Sequence, residues 1–167
     1  MTLLLLVAVC APGGAVPGQI TSNPNIEAEI VRLTNEQRHQ HGLGELQPQI
    51  PKLVDAARAH SEEMILMDYF EHESPTPGLV HPWDRVFKTG IKSNRVAENI
   101  FSADGYSLAE VAEECVSDWM NSPPHRANIL EPANTCVGVG IAMHPSSSGK
   151  GVEVLVTQEF TGPIEGN

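Results

Sequence analysis

His72, Glu98 and His125 are the side chains of this sequence best suited to chemistry. Each sits in a short polar stretch: Phe70-Glu71-His72-Glu73-Ser74-Pro75, Ala97-Glu98-Asn99-Ile100, and Trp119-Met120-Asn121-Ser122-Pro123-Pro124-His125-Arg126. Two imidazoles and a carboxylate, brought into one cleft, are the parts needed to bind a divalent metal or move a proton. Two neutral imidazoles plus water would form an open metal site, with the carboxylate orienting a histidine or accepting a proton from bound water. The competing reading is that both histidines only hydrogen-bond within a polar cleft. Ser74 and Ser122 lie near the two histidines and formally offer a nucleophile, but each precedes a proline, where turn formation and capping explain a serine.

Elements must position these residues. The chain has 167 residues, of which 41% are hydrophobic and 19% charged, enough for one domain with a core. Apolar spacing predicts a first helix over 26–41, capped by Asn25, and a second from Pro51 to Met67 with His60 on its buried face. A short helix is expected to start at Pro82, with Trp83 in the core, and a strand over 96–101. A further helix is expected from Ser107, where Glu110 completes a capping-box pattern, and Ser122-Pro123 should cap and open another turn carrying His125. The period then changes to two: 137–142 and 151–160 read as strands of a hairpin. Helices first and a hairpin last indicate an α+β fold with a small antiparallel sheet and helices on both faces.

The N-terminal apolar run Leu3 to Val9, followed by Ala15-Val16-Pro17, reads as a signal peptide over 1–18, too short to span a bilayer. Lipid attachment at Cys10 is the lesser alternative. A linker is expected over 19–25, one domain over 26–163, and a tail over 164–167. The net charge of −11 argues against nucleic acid as a partner, because the chain could not replace the counterions around phosphates. Export leaves Cys115 and Cys136, an even pair. A disulfide between them would close a loop of about 20 residues and stabilise by about 3 kcal/mol. Two separate buried thiols are the alternative.

Several motifs occur together in order. They are Asn35-Glu36-x-Arg38, Gly42-Leu43-x-x-Leu46, Phe70-x-His72-x-Ser74-Pro75, Glu98-Asn99-Ile100, Trp119-x-x-Ser122-Pro123-x-His125-Arg126-x-Asn128-Ile129-Leu130, Gly138-Val139-Gly140 and Thr157-Gln158-x-Phe160. Together they resemble the CAP superfamily of cysteine-rich secretory, antigen 5 and pathogenesis-related 1 proteins, in its bacterial SCP-domain branch. The resemblance implies an α-β-α sandwich whose cleft holds His72, His125 and Glu98, supported by Asn99, Ser122 and Arg126. It implies a divalent metal, zinc among the candidates, on His72 and His125. It also implies a small apolar or lipid-like ligand, or an extracellular or cell-wall partner, with no transmembrane anchor in the mature chain. Many relatives carry a second glutamate where this chain has Ser122. That departure favours a secreted binding module over the alternative, a metal-assisted, peptidase-like hydrolase with Glu98 as general base.

Overall fold

Four of the five helices open on a proline at their first position, where the missing N–H costs nothing. In the computed structural model, which describes residues 19–146 and 151–164, these are α1 (Pro24–Gln40), α2 (Pro51–Met67), α3 (Pro82–Lys88) and α5 (Pro123–Ile129); α4 is Val111–Asn121. The strands are β1 (Val96–Tyr106), β2 (Cys136–Pro145) and β3 (Val152–Thr161), forming one antiparallel sheet in the order β1-β3-β2. The expected signal peptide lies outside the described residues.

The sheet divides the core in two. Along each strand alternate residues point to opposite faces. Val137, Val139, Ile141, Val154, Val156 and Phe160 meet Ile30 of α1 and Cys115, Val116 and Trp119 of α4. On the other face α2 lies across β2 and β3, and α3 packs against β1 and α2. The fold is therefore the expected α-β-α sandwich. The approach of α2 is set by two glycines of β2. A Cβ built on Gly138 would stand 2.4 Å from Leu53 Cβ, and one on Gly140 would stand 2.1 Å from the backbone N of Arg58.

The outer margin of β2 is occupied along its length, and that of β1 in part. The N–H groups of Val137, Val139, Ile141 and Met143 on β2 donate to Gln47 O, Gln49 Oε1, Glu27 Oε1 and Thr21 O. On β1, Glu98 O accepts from Asn128 Nδ2 and Ile100 O from Trp119 Nε1. Gln158 Nε2 donates to Thr34 Oγ1 at 2.9 Å, and Arg38 donates to the carbonyls of Gly44, Ile129, Glu131 and Asn134. Arg38 thereby ties the end of α1 to the loop before β2.

Some expectations are corrected. Asn23, not Asn25, caps the first helix, accepting from Ile26 N, and Thr21 of the supposed linker pairs with Met143. The helix expected from Ser107 begins at Val111. Ser107 Oγ donates to the Glu110 carboxylate at 2.5 Å instead of completing a box with the backbone. Ser122 precedes α5 without a side-chain cap bond. Trp83 is exposed, stacked on His81 with ring centroids 4.3 Å apart. Cys115 and Cys136 are both free and buried, and the disulfide does not form. Strand parity explains this. Cys136 points toward Ile50 and Leu53 beneath α2, whereas Cys115 of α4 packs on the opposite face, so the sheet lies between them.

Candidate functional site

The three predicted residues meet at the edge of β1. Glu98 points from β1 to the α2 side of the sheet and is only 5% exposed. The loop after α2 brings His72 over it, and His72 Nδ1 lies 2.8 Å from Glu98 Oε1. Asn99, the next residue on β1, points the other way and donates to His125 O and to Gln158 Oε1. Asn128 of α5 donates both to Glu98 O and to Asn99 Oδ1. These bonds dock α5 against the strand edge and place the His125 ring 6.1 Å from the His72 ring, centroid to centroid.

The carboxylate of Glu98 is held from both sides. Its second oxygen accepts from Arg85 Nη2 at 2.6 Å, and Arg85, itself buried, also donates to the carbonyls of His72, Leu79 and Val80. Burial alone would raise the pKa of Glu98, but the hydrogen bond from His72 and the charge of Arg85 outweigh it and hold the group below the usual carboxylate range. Glu98 therefore stays ionised, and its acceptance of a hydrogen bond from His72 Nδ1–H fixes the tautomer that leaves Nε2 without a proton. The His72 side chain is 46% exposed, so that nitrogen faces accessible space. His125 is different. Its Nδ1 is buried with no hydrogen-bond partner, and burial followed by the neighbouring His72 lowers its pKa, keeping the ring neutral at pH 7.

Beneath Glu98 lies a group that sequence reasoning passed over. Glu159 of β3 is the cross-strand partner of Glu98 and is fully buried; no other group donates to its carboxyl, and once protonated it can donate its O–H to Glu98. Burial and then the charge of Glu98 raise its pKa well above the ordinary value, so it is neutral in the fold. The sign of the linkage follows. A raised folded pKa favours the fold most below the unfolded pKa, and that advantage is lost as pH rises toward the folded one. Glu159→Gln is expected to raise the melting temperature by a few degrees at pH 8 and to leave it unchanged near pH 4, read by thermal melts across pH. Equal gains at both pH values would show that proton linkage is not the cause.

The other expected supports separate. Arg126 is exposed and donates to Met120 O and toward His41 Nε2, on the outside of the helices. Ser122 stands at the junction of α4 and α5. His60 is fully buried, as its place on the apolar stripe predicted; its Nε2 lies 3.2 Å from Glu71 O and 3.9 Å from Glu98 Oε2. Tyr69 Oη and Thr76 Oγ1 both donate to Glu63 behind it.

Two imidazole rings thus stand side by side, His72 with Nε2 turned away from Glu98 and His125 with Nδ1 buried and without a partner. Both rings suit a borderline metal such as zinc. Among the described residues no group of three or more His, Cys, Asp or Glu side chains converges as a metal cage, so water would complete any coordination shell.

Residues 31–160 match the profile of CAP, the cysteine-rich secretory protein family. The chain is 39% identical over 136 residues to the uncharacterized protein YkwD of Bacillus subtilis, covering 81% of this chain and 47% of that protein. It superposes on an extracellular, SCP-domain-containing protein of Bacillus anthracis with a TM-score of 0.64 at 28% identity, covering 83% of this chain and 41% of the other. An outer surface protein of Borrelia burgdorferi shares the fold, with a TM-score of 0.66 at 17% identity over 87% of this chain and 99% of its own. The chain spans less than half the length of its Bacillus relatives.

Proposed function

The chain belongs to the CAP family of cysteine-rich secretory proteins, and from that premise we propose that it is a secreted, non-enzymatic binding domain whose cleft takes a divalent metal, zinc-like in preference, on His72 and His125. The clamp on Glu98 carries the reading. One oxygen is engaged by His72 and the other by Arg85, in a nearly inaccessible position. A general base for a metal-bound water needs a free oxygen within reach of that water. A carboxylate that orients a ligating histidine needs the arrangement seen. Glu98 accordingly acts as a positioning residue, and the geometry favours binding over metal-assisted hydrolysis. When bound, the metal would supply a Lewis-acidic anchor for an oxygen or nitrogen of a ligand. The chain's own residues hold His72 in one tautomer and keep His125 neutral.

A ligand of mixed polarity has a place nearby. Phe70, two residues before His72, lines a hollow of about 520 Å³ with Met64, Ile65, Tyr69 and Leu155 on one part of its wall and Asp68, Ser102, His144 and Glu153 on the rest. A small apolar or lipid-like ligand with a polar end, or an extracellular or cell-wall component presenting one, is compatible with that lining. Secretion is supported by the extracellular relative in Bacillus anthracis. In addition, no helix among the described residues is long and apolar enough to cross a membrane.

Calorimetric zinc titration tests the reading. Wild type is expected to bind one equivalent, the double variant His72→Ala/His125→Ala none, and Glu98→Gln about tenfold more weakly with the fold retained. Equal affinity in wild type and the double variant would remove the metal from the proposal. Chelator-sensitive hydrolysis lost in Glu98→Gln would restore the enzymatic alternative.

A further inference from the structure

Along β1, every second residue turns its N–H and C=O away from β3. Glu98 and Ile100 belong to that set, because their carbonyls accept from Asn128 and Trp119. The register runs unbroken to Asp104, so Ser102 and Asp104 belong to it as well. Both are exposed, and among the described residues nothing bonds to their outward backbone groups. A bulge between Asp104 and Tyr106 ends this open stretch. Ser102 also lines the hollow of about 520 Å³ beside Phe70. Asp68 and Glu153 supply carboxylates there and Met64, Phe70 and Leu155 an apolar wall, with no lysine or arginine in the lining. Glu153 has His144 at 2.8 Å on one side, but its cross-strand partner on the other is Asp104, a like charge. The carboxylates of Asp68 and Asp104 have no partner among the described residues.

Charge and a bulge at a sheet edge guard against self-pairing. That accounts for Asp104, but not for an anionic hollow with apolar walls beside the open backbone. We propose that an extended, basic segment of another polypeptide adds antiparallel to residues 102–104, with a lysine or arginine opposite Ser102 whose side chain enters the hollow. Its main chain bonds the free backbone groups of Ser102 and Asp104, and the pocket reads the side chain. The methylenes lie on Met64, Phe70 and Leu155, and the cationic head meets Glu153 between Asp68 and Asp104. Glu153 lies two strand spacings, about 10 Å, from the added strand, a gap that a long cationic side chain closes and a short one does not. A second copy of this chain is a poor occupant, because two acidic edges would meet on molecules that each carry a net charge of −11. The proposal rests on the reading of the chain as a binding domain, for which it names a polypeptide partner, and not on the metal.

The test titrates acetyl-Thr-Val-Lys-Val-Thr-amide, and its norleucine and glutamate counterparts, into protein with labelled backbone amides. Chelator is present throughout, so the outcome is independent of zinc binding in the cleft. The lysine peptide is expected to saturate, shifting the amides of Ser102, Asp104 and Phe70. The norleucine peptide should bind about tenfold more weakly and the glutamate peptide not at all. N-methylation of the lysine residue, whose N–H faces β1, should abolish binding, whereas N-methylation of its two valine neighbours should not. Asp104→Asn and Glu153→Gln should each weaken binding severalfold, and Ser102→Tyr, a large ring at an exposed strand position, should block it. Should Ser102→Tyr not fold, the methylated peptides and the two carboxylate variants still decide the matter. The proposal is overturned if the norleucine or glutamate peptide matches lysine, if methylating the lysine N–H changes nothing, if Asp104→Asn and Glu153→Gln both keep full affinity, or if the lysine peptide does not saturate below about 10 mM.

Discussion

Arg85→Met is expected to destabilise the protein by about 3–5 kcal/mol, the usual cost of stranding one member of a buried ion pair. Its guanidinium carries out several tasks in one place. It neutralises Glu98 and ties down the carbonyls of His72, Leu79 and Val80, which belong to the loop that presents His72. Without it, Glu98 remains buried beside Glu159 with only the His72 imidazole and Glu159 itself at hand. Urea melts at pH 7 should show the loss, and it should shrink at acid pH, where Glu98 can take a proton. Arg85→Met/Glu98→Gln should recover part of it, giving a coupling energy in the double-mutant cycle. A single-variant loss below about 1 kcal/mol would show that the clamp is not a structural keystone.

Gly140→Ala is expected to be comparably damaging for a steric reason. Its Cβ would fall 2.1 Å from Arg58 N and 2.5 Å from Ala57 C, both backbone atoms of α2 that no rotamer change can move. The helix must lift from the sheet, and overpacking of this kind costs about 1–3 kcal/mol and more where backbone must shift. The displacement would also carry His60 away from Glu98, so weaker zinc binding should accompany the lower melting temperature. Gly44→Ala is the control: nothing lies within 4 Å of its added methyl, and a change within about 0.5 kcal/mol is expected. If Gly140→Ala melts like Gly44→Ala, the close approach of α2 does not govern the packing.

How far the sequence could be read depended on the range of the interactions. The helices and strands were legible because periodicity, prolines and glycines act locally. His72, Glu98 and His125 were legible as neighbours because each sits in an ordered motif. Glu159 was not singled out, although with Arg85 it sets the charge state of the site. For Arg85 the sequence leaves two readings, a pairing with an acid near the cleft and a plain place on the helix surface; nothing local decides between them, because its partner is a strand away. Glu159 carried a usable signal: alternation put Val154, Val156 and Phe160 on one face, and helices were expected on both faces of the sheet. A carboxyl on the opposite side of the same strand therefore had to be buried. The same parity would have placed Cys136 beneath α2, away from Cys115. Helix caps shifted by two to four residues because Asn23 competes with Asn25, and because the Ser107 hydroxyl prefers a carboxylate to a backbone amide.

The paired margins of the sheet bear on how this domain meets other chains. A bare strand edge is a template on which another polypeptide can add a strand, whether as a bound peptide or as the start of an aggregate. On β2 that template is consumed by Thr21, Glu27, Gln47 and Gln49, and on β1 two of its acceptors are consumed by Trp119 and Asn128. Strand addition along β2 is thereby blocked, and a partner that adds a strand would have to do so at the open end of β1.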